Sequence, residues 1–140
     1  IALPHAAAPV ASYQPVVVDG HTAFVSGQLP FVDGELVTGK LGEGVTLEQG
    51  QQAARACGLM ILAQLEAAGL IERVAHFVKL GGFVACTPDF YDQPKVINGA
   101  SDLMYEVFGD PGKHARSAVG VPALPLNAAV EVDAIVALKA

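Results

Sequence analysis

The spacing of apolar residues changes along this chain, and two segments have the spacing of a helix. Thr46 and Gln49 form the sequence pattern of a capping box, and apolar residues then recur every three or four positions. This pattern predicts a helix over residues 47–68, ended by Gly69. Pro94 fits the first turn of a second helix that stops before Gly109. The positions expected to face the core are Ala54, Cys57, Ile61, Leu65 and Ala68 in the first helix, and Val96, Ala100, Leu103 and Val107 in the second.

Other segments are rich in β-branched residues and are bounded by turn sequences, which is typical of strands. Asp19-Gly20-His21 lies between two such segments and predicts a hairpin, and residues 31–37 predict a smaller one. Val74–Cys86 predicts a long strand, in which Gly81-Gly82 indicates a bulge or a close approach of backbone. The segment His114–Leu138 predicts a last hairpin, whose two strands are joined by a turn containing proline.

The order hairpin, helix, strand, helix, hairpin predicts an α+β sheet with both helices packed on one face. An extended arm over residues 1–12 and a single domain over residues 13–140 are expected. In the last strand Val130, Val132 and the alternate residues after them form an apolar face, whereas Glu131 and Asp133 share the other. Such strands indicate a sheet that is covered on one side and free on the other. We expect the chemistry, including that of Arg116, on the free side.

The composition narrows the class of protein. Only 16% of the 140 residues are charged, against about 25% in a typical soluble domain. So few charges favour a surface buried in a homo-oligomer, and a monomer with an alanine-rich surface is the alternative. The net charge of −6, with eight Lys and Arg, argues against a nucleic-acid partner.

The sequence also argues against a membrane partner and an oxidising compartment. The apolar run over residues 58–65 is too short for a membrane span and fits a core helix. Cys57 and Cys86 have no disulfide-framework spacing, and no secretory signal is seen. A cytoplasmic location with two buried, reduced thiols is therefore expected.

Several chemical motifs find no support. The glycines of residues 109–113 are too close together for a phosphate loop. The four histidines lack ligand spacing, so no metal site is expected. There is no nucleophile-elbow sequence, and nothing in the sequence places Ser26 or Ser117 near a His–Asp pair, so a serine hydrolase is not indicated. No base can be identified for Cys86 as a nucleophile.

Four segments, taken in order, resemble the Rid family, the reactive intermediate deaminases also called the YjgF family. Tyr13 precedes the first hairpin, and Phe24-Val25-Ser26-Gly27-Gln28-Leu29-Pro30 follows it at the family's spacing. The central strand over residues 78–84 and Asp89-Phe90 form the third segment. The fourth comprises Ala115-Arg116-Ser117-Ala118-Val119, Leu124-Pro125 and Val130-Glu131-Val132. The resemblance covers the chain from about residue 13 onward.

This resemblance implies a chorismate-mutase-like fold, a homotrimer and small-molecule clefts between subunits. It also implies hydrolysis of 2-imino and enamine acids to 2-oxo acids and ammonia, without a cofactor. A non-catalytic module that binds small carboxylates is the main alternative. An endoribonuclease, an older label in the family, is disfavoured by the chain's negative charge.

The residues suggest how such chemistry would work. The planar guanidinium of Arg116 can hold the substrate carboxylate through two parallel hydrogen bonds, and Glu131 can act as the base for the attacking water. Ser26 and Gly27 are expected to cradle the ligand with backbone groups, and the family resemblance adds the Tyr13 hydroxyl.

Each of these residues also has a structural alternative. Arg116 could instead pair with Glu131 or Asp133, Glu131 could be a solvated strand charge, and Tyr13 could cap the core. Ala118 is expected to line the substrate site, at a position where many family members carry cysteine. Residues 90–108 form a longer segment than the family pattern has, which leaves the shape of the substrate open.

Overall fold

The computed structural model describes residues 1–9 and 12–140. Residues 10 and 11, which belong to the expected arm, lie outside the described residues, and residues 1–9 form neither helix nor strand. The helices are α1 (Leu47–Ala67) and α2 (Gln93–Phe108). The strands are β1 (Val16–Asp19), β2 (Thr22–Gln28), β3 (Phe31–Val32), β4 (Glu35–Leu36), β5 (Lys40–Leu41), β6 (Gly44–Val45), β7 (Val74–Ala85), β8 (Ala115–Val121) and β9 (Val130–Leu138).

The main sheet has five strands in the order β1-β2-β9-β7-β8. All neighbouring pairs are antiparallel except β7 and β8, which are parallel, so the sheet is mixed. The predicted hairpin of the last two strands is wrong, because β7 lies between β8 and β9 and pairs with both. The long β7 is an interior strand, with β9 hydrogen-bonded along one edge and β8 along the other. The first hairpin and the small β3–β4 hairpin are confirmed.

Both helices pack on one face of this sheet, as predicted. α1 begins with the predicted capping box, in which the Gln49 amide donates to Thr46 Oγ1 over 3.1 Å and the Thr46 amide donates to Gln49 Oε1 over 2.9 Å. The alternate residues of β9 from Val130 to Leu138 are buried under the helices, which confirms its apolar face. Two core predictions are wrong. Val107 is exposed, because α2 turns Ile97 and Met104 toward the sheet, and Ala68 is exposed directly after α1 ends.

Close approach explains the paired glycines of β7. A Cβ on Gly82 would collide with Ile97 of α2, and one on Gly81 would collide with the Asp133 carboxylate on the other face. Both positions therefore need glycine for space. The sequence predicted a bulge or a close approach of backbone here; the structure shows a close approach by side chains, and the irregularities of β7 lie earlier, between residues 74 and 79.

The face of the sheet that the helices leave free is largely apolar. Phe24, Val17 and Val119 are exposed there, and Ile135 lies between them beside Glu131 and Asp133. Cys57 and Cys86 are both buried and free, as expected. Neither helix of the described residues is long and apolar enough to cross a membrane.

Candidate functional site

Arg116 lies on the edge strand β8, on the face that the helices cover. Its register partner on β7 is Leu80, which in turn pairs with Ala134 of β9, and both of these residues are buried under the helices. The expectation that Arg116 points to the free face is therefore wrong. An arginine is accommodated there because β8 is the last strand, so its side chain reaches the rim of the sheet beside α2.

The guanidinium of Arg116 has neutral partners. Its Nη1 atom donates to Oδ1 of Asn98 over 2.8 Å and to Oγ of Ser101 over 3.2 Å. The salt bridges among the described residues join other groups, namely Arg55 with Glu106, Lys95 with Asp92 and Lys113 with Asp110. The alternative in which Glu131 or Asp133 pairs with Arg116 is therefore wrong.

A cavity of about 380 Å³ opens beside this guanidinium. Two further basic side chains, Lys113 and His114, line it, and Asp102 is its acidic residue. The remaining lining residues are Asn98, Ser101, Tyr105 and Gly112. Lys113 is paired with Asp110, so what a small anion meets here is the Arg116 guanidinium with its unused donors.

Sequence reasoning missed the pair formed by Ser101 and His114. Nε2 of His114 lies 2.9 Å from Oγ of Ser101, and Nδ1 lies 2.6 Å from the carbonyl oxygen of Gly112. The available signal was spacing: His114 and Arg116 are two residues apart, and Asn98 and Ser101 are three apart on a helix.

Glu131 lies on the opposite, free face of the sheet. Burial raises the pKa of its carboxyl group, and the negative charge of Asp133, two residues along the strand, raises it further. The shift favours proton uptake by this carboxylate at a higher pH than an ordinary glutamate requires.

Gly27 packs directly against Glu131, so these two predicted site residues do come together. The register of β2 against β9 shifts between Val25 and Gln28, and this bulge turns Gly27 toward the carboxylate. A Cβ at Gly27 would collide with Oε2 of Glu131. Glycine is therefore required here for the close approach.

Ser26 and Tyr13 lie at the same bulge. The Ser26 hydroxyl donates to the Gln14 carbonyl over 2.8 Å, and its amide donates to the Pro15 carbonyl over 2.9 Å. Ser26 thereby fixes the chain directly after Tyr13, whose side chain is 44% exposed. Both Ser26 donors are thus taken up within the chain, so its expected contact with a ligand stays a prediction.

Ala118 shares a face with Arg116 rather than with Glu131. It pairs with Gly82, which pairs with Val132, and it packs against the hydrophobic core. The predicted site residues consequently form two groups. Tyr13, Ser26, Gly27 and Glu131 belong to the group at the bulge, which we call the bulge group, and Arg116 and Ala118 belong to the group beside α2.

The sheet register gives the separation between the two groups. Arg116 is two strands away from Ala134, and Glu131 lies three residues before Ala134 on β9. With strands about 4.8 Å apart and a rise of about 3.4 Å per residue, the Cα atoms of Arg116 and Glu131 are about 14 Å apart. Because the side chains also point to opposite faces, one copy of the chain cannot bring both to the same small molecule.

A mixed sheet with two helices on one face defines an α+β protein. Residues 1–138 match the model of the family described as "YjgF/chorismate_mutase-like, putative endoribonuclease". The chain belongs to this family, which confirms the resemblance and the fold inferred from the sequence.

Individual relatives are similar to this chain over almost its whole length. Protein TCP17 of Trypanosoma cruzi is 52% identical over 99% of this chain and 89% of its own. A 2-iminobutanoate/2-iminopropanoate deaminase of Dermatophagoides farinae is 32% identical over 99% of this chain and 95% of its own. The crystal structure of Atu1372 from Agrobacterium tumefaciens, a protein of unknown function, is 46% identical and superposes with a TM-score of 0.93 over 99% of this chain and 87% of that one.

Proposed function

We propose that the protein hydrolyses reactive 2-imino and enamine acids to 2-oxo acids and ammonia. The observation that carries the proposal is the Arg116 guanidinium, whose hydrogen-bond partners among the described residues are neutral and which lines a cavity. The relative from Dermatophagoides farinae named as an iminobutanoate and iminopropanoate deaminase supports the same substrate class.

Arg116 would recognise the carboxylate of the substrate. Both of its side-chain hydrogen bonds among the described residues come from Nη1, so Nε and Nη2 are left to donate to two carboxylate oxygens. Asn98 holds the guanidinium in place, which fixes where the carboxylate sits. The C=N carbon next to that carboxylate is then held in one position for attack by water.

Glu131 would supply the base from a neighbouring copy of the chain. The distance and the opposite faces separate it from Arg116 within one copy, so a site that uses both must form where copies meet. The exposed apolar residues Phe24, Val17 and Val119 on the free face of the sheet, together with the low charge, support a homo-oligomer. The family resemblance implies that this assembly is a homotrimer. The reaction consumes water and an activated C=N bond, and it needs no cofactor, nucleic acid or membrane.

A non-catalytic module for 2-oxo acids is the second candidate. It is favoured by one observation: of the described residues that line the Arg116 cavity, the exposed Asp102 is the one carboxylate. In this candidate Arg116 binds the same carboxylate and no reaction follows. The endoribonuclease of the family description is the third, and the net charge of −6 disfavours it.

The deaminase is tested by generating 2-imino acids in situ with an amino-acid oxidase and trapping the surviving imine with semicarbazide. The wild type is expected to lower semicarbazone formation and speed ammonia release. Arg116→Ala should lose this effect, and Arg73→Ala, a remote arginine variant, should keep it. A wild type without effect on the imine contradicts the proposal.

Ligand binding separates the second candidate from the first. Titration with 2-oxobutanoate should show binding to the wild type and loss of binding in Arg116→Ala. Binding without any effect on the imine assay would establish the binding module in place of the deaminase.

A further inference from the structure

Ser101 and His114 form a hydroxyl–imidazole pair whose hydrogens can be assigned from the geometry. The carbonyl oxygen of Gly112 can only accept a hydrogen bond, so His114 Nδ1, which lies 2.6 Å away, carries the hydrogen. In the neutral ring Nε2 is then the acceptor, and it receives the hydroxyl hydrogen of Ser101 over 2.9 Å. The ring is therefore oriented as a base toward a serine, by a backbone carbonyl rather than by a carboxylate.

Arg116 adds a positive charge at the serine oxygen. Its Nη1 donates to Ser101 Oγ over 3.2 Å, so the same oxygen donates to His114 and accepts from a guanidinium. A fixed cation at this distance stabilises the negative charge that develops on the serine oxygen and on an oxygen bound next to it. Nucleophile, base and cation thus meet within hydrogen-bond distances.

The pair is open to a ligand. Ser101, His114 and Arg116 all line the cavity of about 380 Å³, which is within the range of small-molecule sites. Ser101 and His114 are each partly buried, so neither is enclosed in the core. Asn98 holds Arg116 from the preceding turn of α2.

We propose that Ser101 is a nucleophilic serine with His114 as its base, and that the cavity takes small esters or thioesters whose acyl part carries a carboxylate. The Nε and Nη2 groups of Arg116 bind that carboxylate, since Lys113 at the rim is already paired with Asp110. This activity does not depend on the deaminase, although both use Arg116.

The reaction is acyl transfer to water in two steps. Ser101 Oγ bonds to the acyl carbon while its proton passes to His114 Nε2, and the C–O or C–S bond to the leaving group breaks as Nε2 returns that proton to the alcohol or thiol. Water then attacks the acyl carbon, gives a proton to Nε2, and releases Ser101 with that proton. The sum is ester plus water to acid plus alcohol, with His114 unchanged.

A fluorophosphonate probe tests the nucleophile on the intact protein. Mass spectrometry should find the wild type labelled on Ser101, with no label in Ser101→Ala and labelling at least about 100-fold slower in His114→Gln, since a general base contributes about that factor or more. Ser117→Ala, a serine variant on the other face of β8, should label like the wild type. Matching thermal unfolding curves show that the variants are folded. An unlabelled Ser101, or equal labelling rates in wild type and His114→Gln, overturns the proposal.

A pair of esters tests the ligand class. The wild type should hydrolyse 4-nitrophenyl hydrogen adipate faster than the same ester with its free carboxylate methylated, and Arg116→Ala should lose that preference. Ser101→Ala should hydrolyse neither ester above the rate in buffer. Equal rates for the two esters in the wild type overturn the carboxylate requirement, and an unchanged rate in Ser101→Ala overturns the nucleophile.

Discussion

Arg116 and Glu131 lie on opposite faces of one sheet, with β7 between their strands. The two residues that best fit substrate binding and proton transfer are thus kept apart by the fold of a single chain. Arg116 faces the cavity beside α2, and Glu131 faces the apolar side that the helices leave free. The deaminase we propose is therefore a property of the assembled protein.

Mixing two inactive variants tests this arrangement. Arg116→Ala and Glu131→Gln should each be inactive in the imine assay, because each removes one half of every site. If a site takes Arg116 from one copy and Glu131 from the next around a cyclic trimer, random mixing in equal amounts leaves both residues in about a quarter of the sites. The mixture should therefore regain about a quarter of the wild-type activity after the subunits are exchanged by unfolding and refolding.

Each variant refolded alone provides the control for this experiment. It should stay inactive, which excludes recovery through refolding itself. A refolded mixture that contains mixed oligomers and still shows no activity would contradict the shared site.

The pH dependence of activity should follow the carboxyl group of Glu131. Burial is the larger cause of the raised pKa of this group, and the charge of Asp133 is the smaller one. The base is therefore protonated at a higher pH than an ordinary glutamate. Asp133→Asn removes the charge and should shift the acid limb of the rate profile to lower pH. The measurement is the rate of imine hydrolysis across the acid range, with Glu106→Gln, a distant carboxylate variant, as the control.

Stability should change with pH in the direction set by the same shift. A carboxyl group with a raised pKa in the folded state binds more protons folded than unfolded, so its contribution to stability falls as the pH rises from the unfolded pKa through the folded one. Glu131→Gln should therefore raise the melting temperature at neutral pH and have a smaller effect below the unfolded pKa. A lower melting temperature at neutral pH would contradict this prediction, because it would show that the ionised carboxylate stabilises the fold.

The sequence predicted the fold better than the site. Local signals such as the Thr46–Gln49 capping box and the alternation of β9 determine elements on their own, and the structure confirms them. The prediction of a β8–β9 hairpin was wrong, because strand order depends on which strands pair across the sheet. A short connection that contains proline does not exclude another strand from lying between the two strands it joins.

The error in the site follows from the error in topology. Alternation within β8 correctly groups Arg116 with Ala118, but it does not say which of the two faces the helices cover. The Ser101–His114 contact joins α2 to the residue before β8. Spacing along the chain groups His114 with Arg116 and Ser101 with Asn98, but it does not bring the two groups together. The family resemblance supplied Arg116 and Glu131 as candidates without their relative position.

Gly27→Ala should weaken both the fold and the proposed site. Its Cβ would collide with the Glu131 carboxylate, which must move away from the bulge. We expect a loss of about 1 kcal/mol in the free energy of unfolding, at the low end for overpacking because the colliding atoms end a flexible side chain. Imine hydrolysis should fall with the displacement of the base.

Glu131→Ala provides the matched background for this substitution. In that variant Gly27→Ala no longer meets a carboxylate, so the two stability effects should not add. Urea unfolding of the two single variants and the double variant measures the coupling. Additive effects would show that Gly27 is needed for its backbone conformation and not for the space it leaves.

Gln64 should hold the N-terminal segment onto α1. Its side chain is buried, and its Nε2 atom donates to the Ala7 carbonyl over 2.8 Å and to Oε1 of Gln28 over 3.2 Å. Gln28 in turn donates to the Ser26 carbonyl over 2.9 Å, so two buried amides connect residues 1–9 with the bulge group. Gln64→Leu removes the donor and leaves the Gln28 oxygen buried without it.

We expect this variant to lose about 1–3 kcal/mol of stability, the cost of leaving a buried polar group unsatisfied. Residues 1–9 should also exchange amide hydrogens and be cleaved by protease faster than in the wild type. Gln52→Leu is the matched control and should change neither. Gln52 lies on the same helix and lines a second cavity, to which residues 2–5 of the N-terminal segment contribute. Equal protection of residues 1–9 in both variants would mean that apolar packing, with Leu3 against the core, holds the segment without the amide.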